Sequence, residues 1–443
     1  MAEKKASVLA EELKNLDMVS IINGGNGKPI FTKNDLVDFS YPTGIPLIDY
    51  PLGYEVLQRD SSGNVIGTRL VTGIQAGSFN VITGPTQSFK TLISSIICAN
   101  IAYMNDGNIV HIDAENRLVG QRVKTMTKLP ESWFIGDSPR YSIKCGAIGF
   151  DGLQEWITEM WVNKMKFKDI LLKDTGVKDS SGEPIILMPP TMVFLDSISS
   201  VLTNEYKLTE KKSIENAGEL HSNTYGMINA KTIRGVLQDI LPMLKEANIN
   251  IITISHQNTN ISGNNAFAGP KKQFQYGAAD VKIAGGKAVE YNASLVATFT
   301  GESSPDSRYH IDHDGFEGNT VIFEPTKCST NESGNSRTGL GFRLVIDKRQ
   351  GTVDNLRSLT LFLNEKGRLK GNKAGFRIVD RNGEIIGEKF TWKTIHEDFK
   401  KDPATYKNFM VVAKEELMKY VAKAPDVAGS IDPMDMDSII SSL

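Results

Sequence analysis

From residue 79 to residue 255 the chain alternates between two hydrophobic patterns. β-rich apolar runs at 79–83, 108–113, 191–196 and 249–255 have the length and composition of strands. Between them, apolar positions recur at helical spacing over 90–104, around 152–166 and over 228–247. This alternation predicts an α/β fold whose mostly parallel sheet carries helices on both faces, with the core spanning residues 41–364. Ahead of it, Val8, Leu9, Leu13 and Leu16 lie at helical spacing, and a Gly-Gly-Asn-Gly break at 24–27 separates them from Pro29-Ile30-Phe31. Residues 1–40 therefore read as a detached N-terminal arm.

Three segments read as hairpins or loops inserted into the core and belong on its surface. They are 54–70 around Ser62-Gly63-Asn64, 174–187 around Asp179-Ser180-Ser181-Gly182, and 301–340, which is rich in Gly, Ser, Asn and Asp. After residue 364 the pattern changes. An Asn382-Gly383 turn signal separates two strand-like runs, and Asp402-Pro403 opens a helix expected to run through Lys423. This predicts a small α+β C-terminal domain over 365–423. Residues 424–443 carry Asp426, Asp432, Asp435 and Asp437 with no Lys or Arg, the composition of an acidic tail.

Composition narrows the picture modestly. A chain of 443 residues that is 40% hydrophobic and 23% charged excludes collagen, coiled coil and bulk disorder. Lys and Arg number 50 against 52 Asp and Glu, so any nucleic-acid contact must come from local basic loops. No apolar run reaches the roughly 18 residues of a membrane helix, and the start lacks a signal peptide's apolar stretch. The expectation is a cytoplasmic protein without a membrane partner. Cys98, Cys145 and Cys328 are isolated, which argues against a disulfide frame or a thiolate zinc site.

The strongest chemical signal is Gly84-Pro85-Thr86-Gln87-Ser88-Phe89-Lys90-Thr91, between an apolar strand and a helix. In such a loop the main-chain N–H groups converge on an anion, Lys90 adds a charge for the β- and γ-phosphates of ATP, and Thr91 can ligate Mg²⁺. Phe89 stands where glycine normally precedes the lysine, and these residues alone are also compatible with a plain strand-to-helix turn. Asp196 ends the run Val193-Phe194-Leu195, which places it on the carboxyl edge of a parallel sheet, where it can hold Mg²⁺ through water. Glu115 follows Ile112-Asp113-Ala114 on the same predicted edge, within reach of the water that attacks the γ-phosphate. His256 ends the fourth strand and can hydrogen-bond that phosphate, although a satisfied strand-terminal histidine is the simpler reading.

Beyond His256, residues 257–284 combine Lys271, Lys272 and Lys282 with Phe267, Phe274 and Tyr276 and are poor in aliphatics. Basic residues interleaved with rings suit single-stranded nucleic acid; a disordered surface loop has about equal weight on composition. A second loop, 205–227, carries Lys207, Lys211 and Lys212 and is expected to open on the same side. His310 and His313 lack a complete ligand set and read as a solvated loop.

These residues, in this order, resemble the RecA family of DNA recombinases, and within it the UvsX strand-exchange proteins of T-even-type bacteriophages. Thr43 to Asp49 with Leu52-Gly53 resembles the segment preceding the family's phosphate loop, and GPTQSFKT is similar to a family version that also has Phe before Lys. Ile112 to Glu115 resembles the stretch holding the catalytic glutamate, and Leu195-Asp196-Ser197 the magnesium aspartate. His256 falls on the position that senses the γ-phosphate. Gly285-Gly286-Lys287-Ala288 through Ser294 resembles the close of the second DNA-binding loop, and Tyr291 falls on an aromatic of the protomer interface. Lys348-Arg349 resembles a basic pair reaching a neighbour's nucleotide. The family's adenine-stacking aspartate is Val119 here, so base recognition is not carried over.

The resemblance covers roughly residues 40–365. It implies an N-terminal oligomerisation arm, a RecA-type ATPase core, and a DNA-dependent ATPase that forms helical filaments on single-stranded DNA and exchanges strands with duplex. It also implies ATP and Mg²⁺ as ligands, and a mediator, a single-strand-binding protein and a helicase as accessory partners. A phage-encoded protein would work in the host cytoplasm or replication compartment. A hexameric helicase on the same core and a non-catalytic recombination mediator are the rival expectations.

Overall fold

The computed structural model describes residues 39–60, 62, 64–145, 149–201, 222–259, 281–283, 286–301, 308–309, 317–331 and 340–424. Its elements are β1 (Phe79–Gly84), α1 (Lys90–Met104), β2 (Asn108–Asp113), α2 (Gly120–Thr127), β3 (Tyr141–Cys145), α3 (Phe150–Lys166) and β4 (Thr191–Asp196). They continue with α4 (Ser222–Ala247), β5 (Ile249–Thr259), β6 (Val281–Ile283), α5 (Gly286–Asn292), β7 (Leu295–Gly301), β8 (Gly318–Cys328), β9 (Phe342–Asp347), β10 (Thr352–Asp354) and α6 (Asn355–Glu365).

The central sheet has the strand order β10-β9-β8-β7-β1-β5-β4-β2-β3. Strands β7 through β3 of that order are parallel, and β8, β9 and β10 close one side antiparallel. The fold is thus α/β with a mostly parallel sheet. Alternate residues of each inner strand serve opposite faces, as the pleat requires. Ile82, Met192, Phe194, Ile252 and Ile254 pack with Ile93, Ile96 and Ile97 of α1. Phe79, Val81, Val193, Leu195, Ile249 and Ile251 pack with α3 and α4 through Phe150, Leu153, Ile157, Val236, Leu237 and Ile240. Both sides are mostly apolar because both are covered, which explains why the hydrophobic positions do not simply alternate with polar ones.

Segments 54–70 and 174–187 form the expected hairpins, Tyr54–Arg59 with Val65–Val71 and Lys173–Lys178 with Pro184–Leu187. Their tips share one solution. Asp60 Oδ1 accepts the N–H groups of Ser62 and Asn64, both at 2.9 Å, and Asp179 Oδ1 those of Ser181 and Glu183 at 2.8 and 3.0 Å. Asp380 repeats the arrangement with Asn382 and Glu384 at 2.9 and 2.8 Å. In each, a short carboxylate satisfies the turn's own donors.

Segment 301–340 departs from expectation. Its stretch 318–328 is no surface insertion but the eleven-residue strand β8, paired on both sides inside the sheet. Val321 and Phe323 are buried in the main core; the polar residues on either side disguise a strand whose alternate positions are apolar. After α6, β11 (Leu369–Asn372), β12 (Gly375–Val379) and β13 (Ile385–Phe390) form an antiparallel sheet backed by α7 (Ile395–Lys401) and α8 (Pro403–Leu417). Asp402 caps α8 by accepting from the N–H groups of Ala404 and Thr405. The helix stops at Leu417 and not at Lys423. Tyr420 meets Phe342 edge-on and Phe362 at a tilt, and Ala422 bonds to Gly53 and Glu55. Tertiary pairing ends what local periodicity would prolong.

His111, in the middle of β2, is fully buried against Phe194. Its Nδ1 lies 2.8 Å from the Tyr141 hydroxyl, and among the described residues its Nε2 has no hydrogen-bond partner. Burial disfavours the charged ring and brings its pKa down to about 4 from 6.5. The folded state therefore binds fewer protons than the unfolded chain between these values. Stability contributed by the neutral ring is whole above about pH 6.5 and is lost as pH falls toward 4, a total of about 3 kcal/mol. Urea unfolding of His111→Phe at pH 7 and pH 4.5 is expected to show a correspondingly flatter acid limb than the unmodified protein; an identical limb would refute the assignment.

Candidate nucleotide and metal site

The carboxyl ends of four neighbouring strands build the site. Register places His256 opposite Gly84 across β5 and β1, and Asp196 opposite Asp113 across β4 and β2. Loops leaving this edge therefore start side by side, the usual location of a ligand crevice in a parallel sheet.

Gly84 cannot carry a side chain. Its φ is +146°, and an added Cβ would lie 2.0 Å from the Phe299 carbonyl oxygen of β7. The loop then rises through exposed Pro85, Thr86 and Gln87, buries Ser88 and enters α1 at Lys90. Phe89 holds the left-handed conformation, φ 60° and ψ 18°, which disfavours a side chain by roughly 1–2 kcal/mol. Its ring rests against the α1-side core. The position that normally takes glycine thus keeps glycine's conformation while an aromatic ring fills it. Lys90 folds back over the loop, its Nζ donating to the carbonyls of Gly84 at 2.9 Å and Pro85 at 2.6 Å. Burial lowers the lysine's pKa, opposed by the nearby charges of Asp196 and Glu115.

Thr91 Oγ1 donates to Asp196 Oδ2 at 2.9 Å. Burial raises the Asp196 pKa, and the negative charges of Glu115 and Asp113 add to this, against the Thr91 hydrogen bond. A bound cation would relieve that cost. A hydroxyl and a carboxylate side by side, with no thiolate or imidazole, are hard oxygen donors that fit Mg²⁺, which takes few protein ligands and completes its shell with phosphate and water. Among the described residues no cluster of three or more His, Cys, Asp or Glu forms a self-sufficient metal cage.

Glu115 sits on the turn after β2. Asp113 Oδ2 accepts the Leu118 N–H at 2.7 Å and so closes that turn, while Asn116 takes the left-handed φ of 55°. The Glu115 carboxylate meets Ser197 Oγ at 2.9 Å and His256 Nε2 at 2.8 Å on Oε1, and Arg117 at 3.3 Å on Oε2. Burial pushes its pKa up, but the hydrogen bonds from His256 and Ser197, with the charges of His256 and Arg117, outweigh it and hold Glu115 below the ordinary glutamate value. The group is ionised at neutral pH.

A search with the whole sequence matches no protein-family model and no curated protein.

Gly84 to Thr91, Glu115, Asp196 and His256 thus converge on one edge. Lys348 and Arg349 do not join them. They are exposed on the turn between β9 and β10, three strands from β1 in the sheet order. Lys282 lies on β6 opposite Asn258 of β5. Gly286 and the exposed Lys287 begin α5. Lys207, Lys211, Lys212, Lys271, Lys272, Phe274 and Gly285 lie outside the described residues, as do Phe267, Tyr276, His310, His313, residues 1–38 of the arm and 425–443 of the acidic tail. The upstream segment is anchored at the other end of α1's face. Asp49 Oδ1 accepts from the N–H and hydroxyl of Thr43, each at 2.7 Å, and Asn100 of α1 donates to the Thr43 carbonyl. Ser197, Ser199 and Arg117 complete the site; the sequence pattern holds Ser197 only as part of Leu195-Asp196-Ser197 and does not single out Ser199 or Arg117.

Proposed function

We propose that this chain is an ATP-dependent DNA recombinase that assembles as helical filaments on single-stranded DNA and pairs it with homologous duplex. The observation that carries this reading is the joint placement of a phosphate loop, a Thr91–Asp196 pair and a Glu115–His256 pair at one sheet edge, with His256 at the root of a two-stranded stem. Gln257, Asn258 and Thr259 of β5 pair with Ile283, Lys282 and Val281 of β6. The basic, aromatic segment 260–280 therefore leaves and returns immediately beyond the histidine, so a displacement at His256 reaches both of its ends through the backbone. No helix among the described residues is long and apolar enough to cross a membrane.

The chemistry follows from the chain's own groups. Main-chain N–H groups of residues 86–91 and Lys90 bind the phosphates of ATP, the ammonium exchanging loop carbonyls for phosphate oxygens. Mg²⁺ held by Thr91 and Asp196 would neutralise charge between the β- and γ-phosphates. Glu115 accepts a proton from the water whose oxygen attacks the γ-phosphorus as the bond to the bridging oxygen breaks. His256 Nε2–H can serve Glu115 or a γ-phosphate oxygen, not both at once. Its choice between them is the two-state element that links nucleotide to the stem. The exposed Lys348 and Arg349 suit contact with a neighbouring protomer's nucleotide.

The test is to measure ATP hydrolysis with and without single-stranded DNA, and to image the protein with DNA and a non-hydrolysable ATP analogue. Stimulated hydrolysis and long helices are expected. Closed rings would favour a helicase; negligible hydrolysis in both conditions would favour a non-catalytic mediator. Either result overturns the proposal.

A further inference from the structure

The turn Ile198–Ser200 follows directly on the end of β4. β4 and β5 remain in register only as far as Leu195 and Thr253, whereas β5 continues beside β1 to His256 and Gly84. Past Thr253 the main chain of β5 has lost β4 as a ladder partner, and an N–H facing that side needs another acceptor. Ser199 provides it: its Oγ accepts the His256 N–H at 3.1 Å. Two residues earlier, Ser197 Oγ holds Glu115, and the Asp196 carbonyl accepts the Ala114 N–H at 2.9 Å. Ile198, between the two serines, is only 3% exposed and belongs to the α3–α4 core. One core-anchored turn thus ties the strand of the metal carboxylate to the strand of the base and to the strand of the phosphate sensor.

We propose that Ser199 is a positioning residue for nucleotide hydrolysis, fixing the main chain at His256 so that the imidazole meets Glu115. This inference rests on the hydrolytic reading given above. The imidazole is carried by the very residue whose N–H Ser199 holds, and its Nε2 stands 2.8 Å from Glu115 Oε1. Freed of that bond, β5 loses its tie on the β4 side at His256, and a small displacement of a catalytic constellation is costly. The neighbouring hydroxyl of Ser197 is committed to Glu115 and cannot take over.

The experiment is a double-mutant cycle on DNA-stimulated ATP hydrolysis by the full chain, using Ser199→Ala, His256→Ala and the pair, with Ser199→Thr as the conservative rescue. Ser199→Ala is expected to lower kcat about tenfold, the loss of one partly buried hydrogen bond, at unchanged KM. The pair should be no slower than His256→Ala alone, because the serine acts through the histidine. Ser199→Thr should restore the rate, and exchange of the His256 amide in the nucleotide-free protein should quicken in Ser199→Ala only. Multiplicative losses in the pair, or a normal kcat in Ser199→Ala, would overturn the assignment while leaving the hydrolytic reading intact. If the unmodified protein does not hydrolyse ATP, or Glu115→Gln matches it, the reading fails and the assignment with it.

Discussion

Lys90→Ala is expected to weaken ATP binding by about 30- to 1000-fold and to abolish nucleotide-dependent filaments. A lysine–phosphate contact near 4 Å is worth on the order of 4 kcal/mol at a protein-surface dielectric, part of it cancelled by desolvation. Here the ammonium is already buried beside the loop, donating to the Gly84 and Pro85 carbonyls, so little ordering remains to be done when phosphate arrives. Those carbonyls can turn to water in the variant, and stability without nucleotide should change little. Titration calorimetry with ATP and Mg²⁺, beside thermal unfolding of the free protein, separates loss of binding from loss of fold. Affinity within about fivefold of the unmodified protein, below the ~1 kcal/mol of one ordinary hydrogen bond, would show that the loop does not hold phosphate.

Glu115→Gln is expected to leave ATP affinity nearly unchanged and to slow hydrolysis by about 10²- to 10⁴-fold, the usual contribution of a positioned general base. The amide keeps an oxygen for Ser197 and His256, which now meet Glu115 at 2.9 and 2.8 Å, so the turn should survive. What disappears is the negative charge that Arg117 approaches at 3.3 Å and that accepts the water's proton. Single-turnover phosphate release checks this directly. An unchanged rate would reduce Glu115 to a turn former.

Much of the core was legible because its strands are covered on both faces. Phe79–Gly84, Asn108–Asp113 and Thr191–Asp196 are largely apolar runs, and α1 begins at Lys90 and ends at Met104 as its periodicity indicates. The errors lie where distant partners decide. β5 runs four residues past Ser255 because β6, more than twenty residues later, pairs with it. α4 begins at Ser222, ahead of the periodic stretch. β8 was hidden by its polar surroundings. At the site, Gly84, Lys90, Thr91, Glu115, Asp196 and His256 could be read because each ends or follows a strand. Ser199 could not, since a serine hydroxyl announces no partner; only the parting of β4 from β5 gives it one. Phe89 looked like a departure from the phosphate-loop pattern, yet the backbone there has the conformation a glycine would supply.

The aromatic rings beneath α6 have a practical consequence. Phe376, Phe390, Trp392 and Phe409 of the last sixty-odd residues belong to the same apolar mass as Phe342 and Phe362, and Arg368 is fastened to Glu416 at 2.8 Å. Shortening the chain just after α6 would lay that seam open to water and leave a sticky stump. Tags and truncations are better placed beyond Ala422, where the last backbone tie to Gly53 and Glu55 is made.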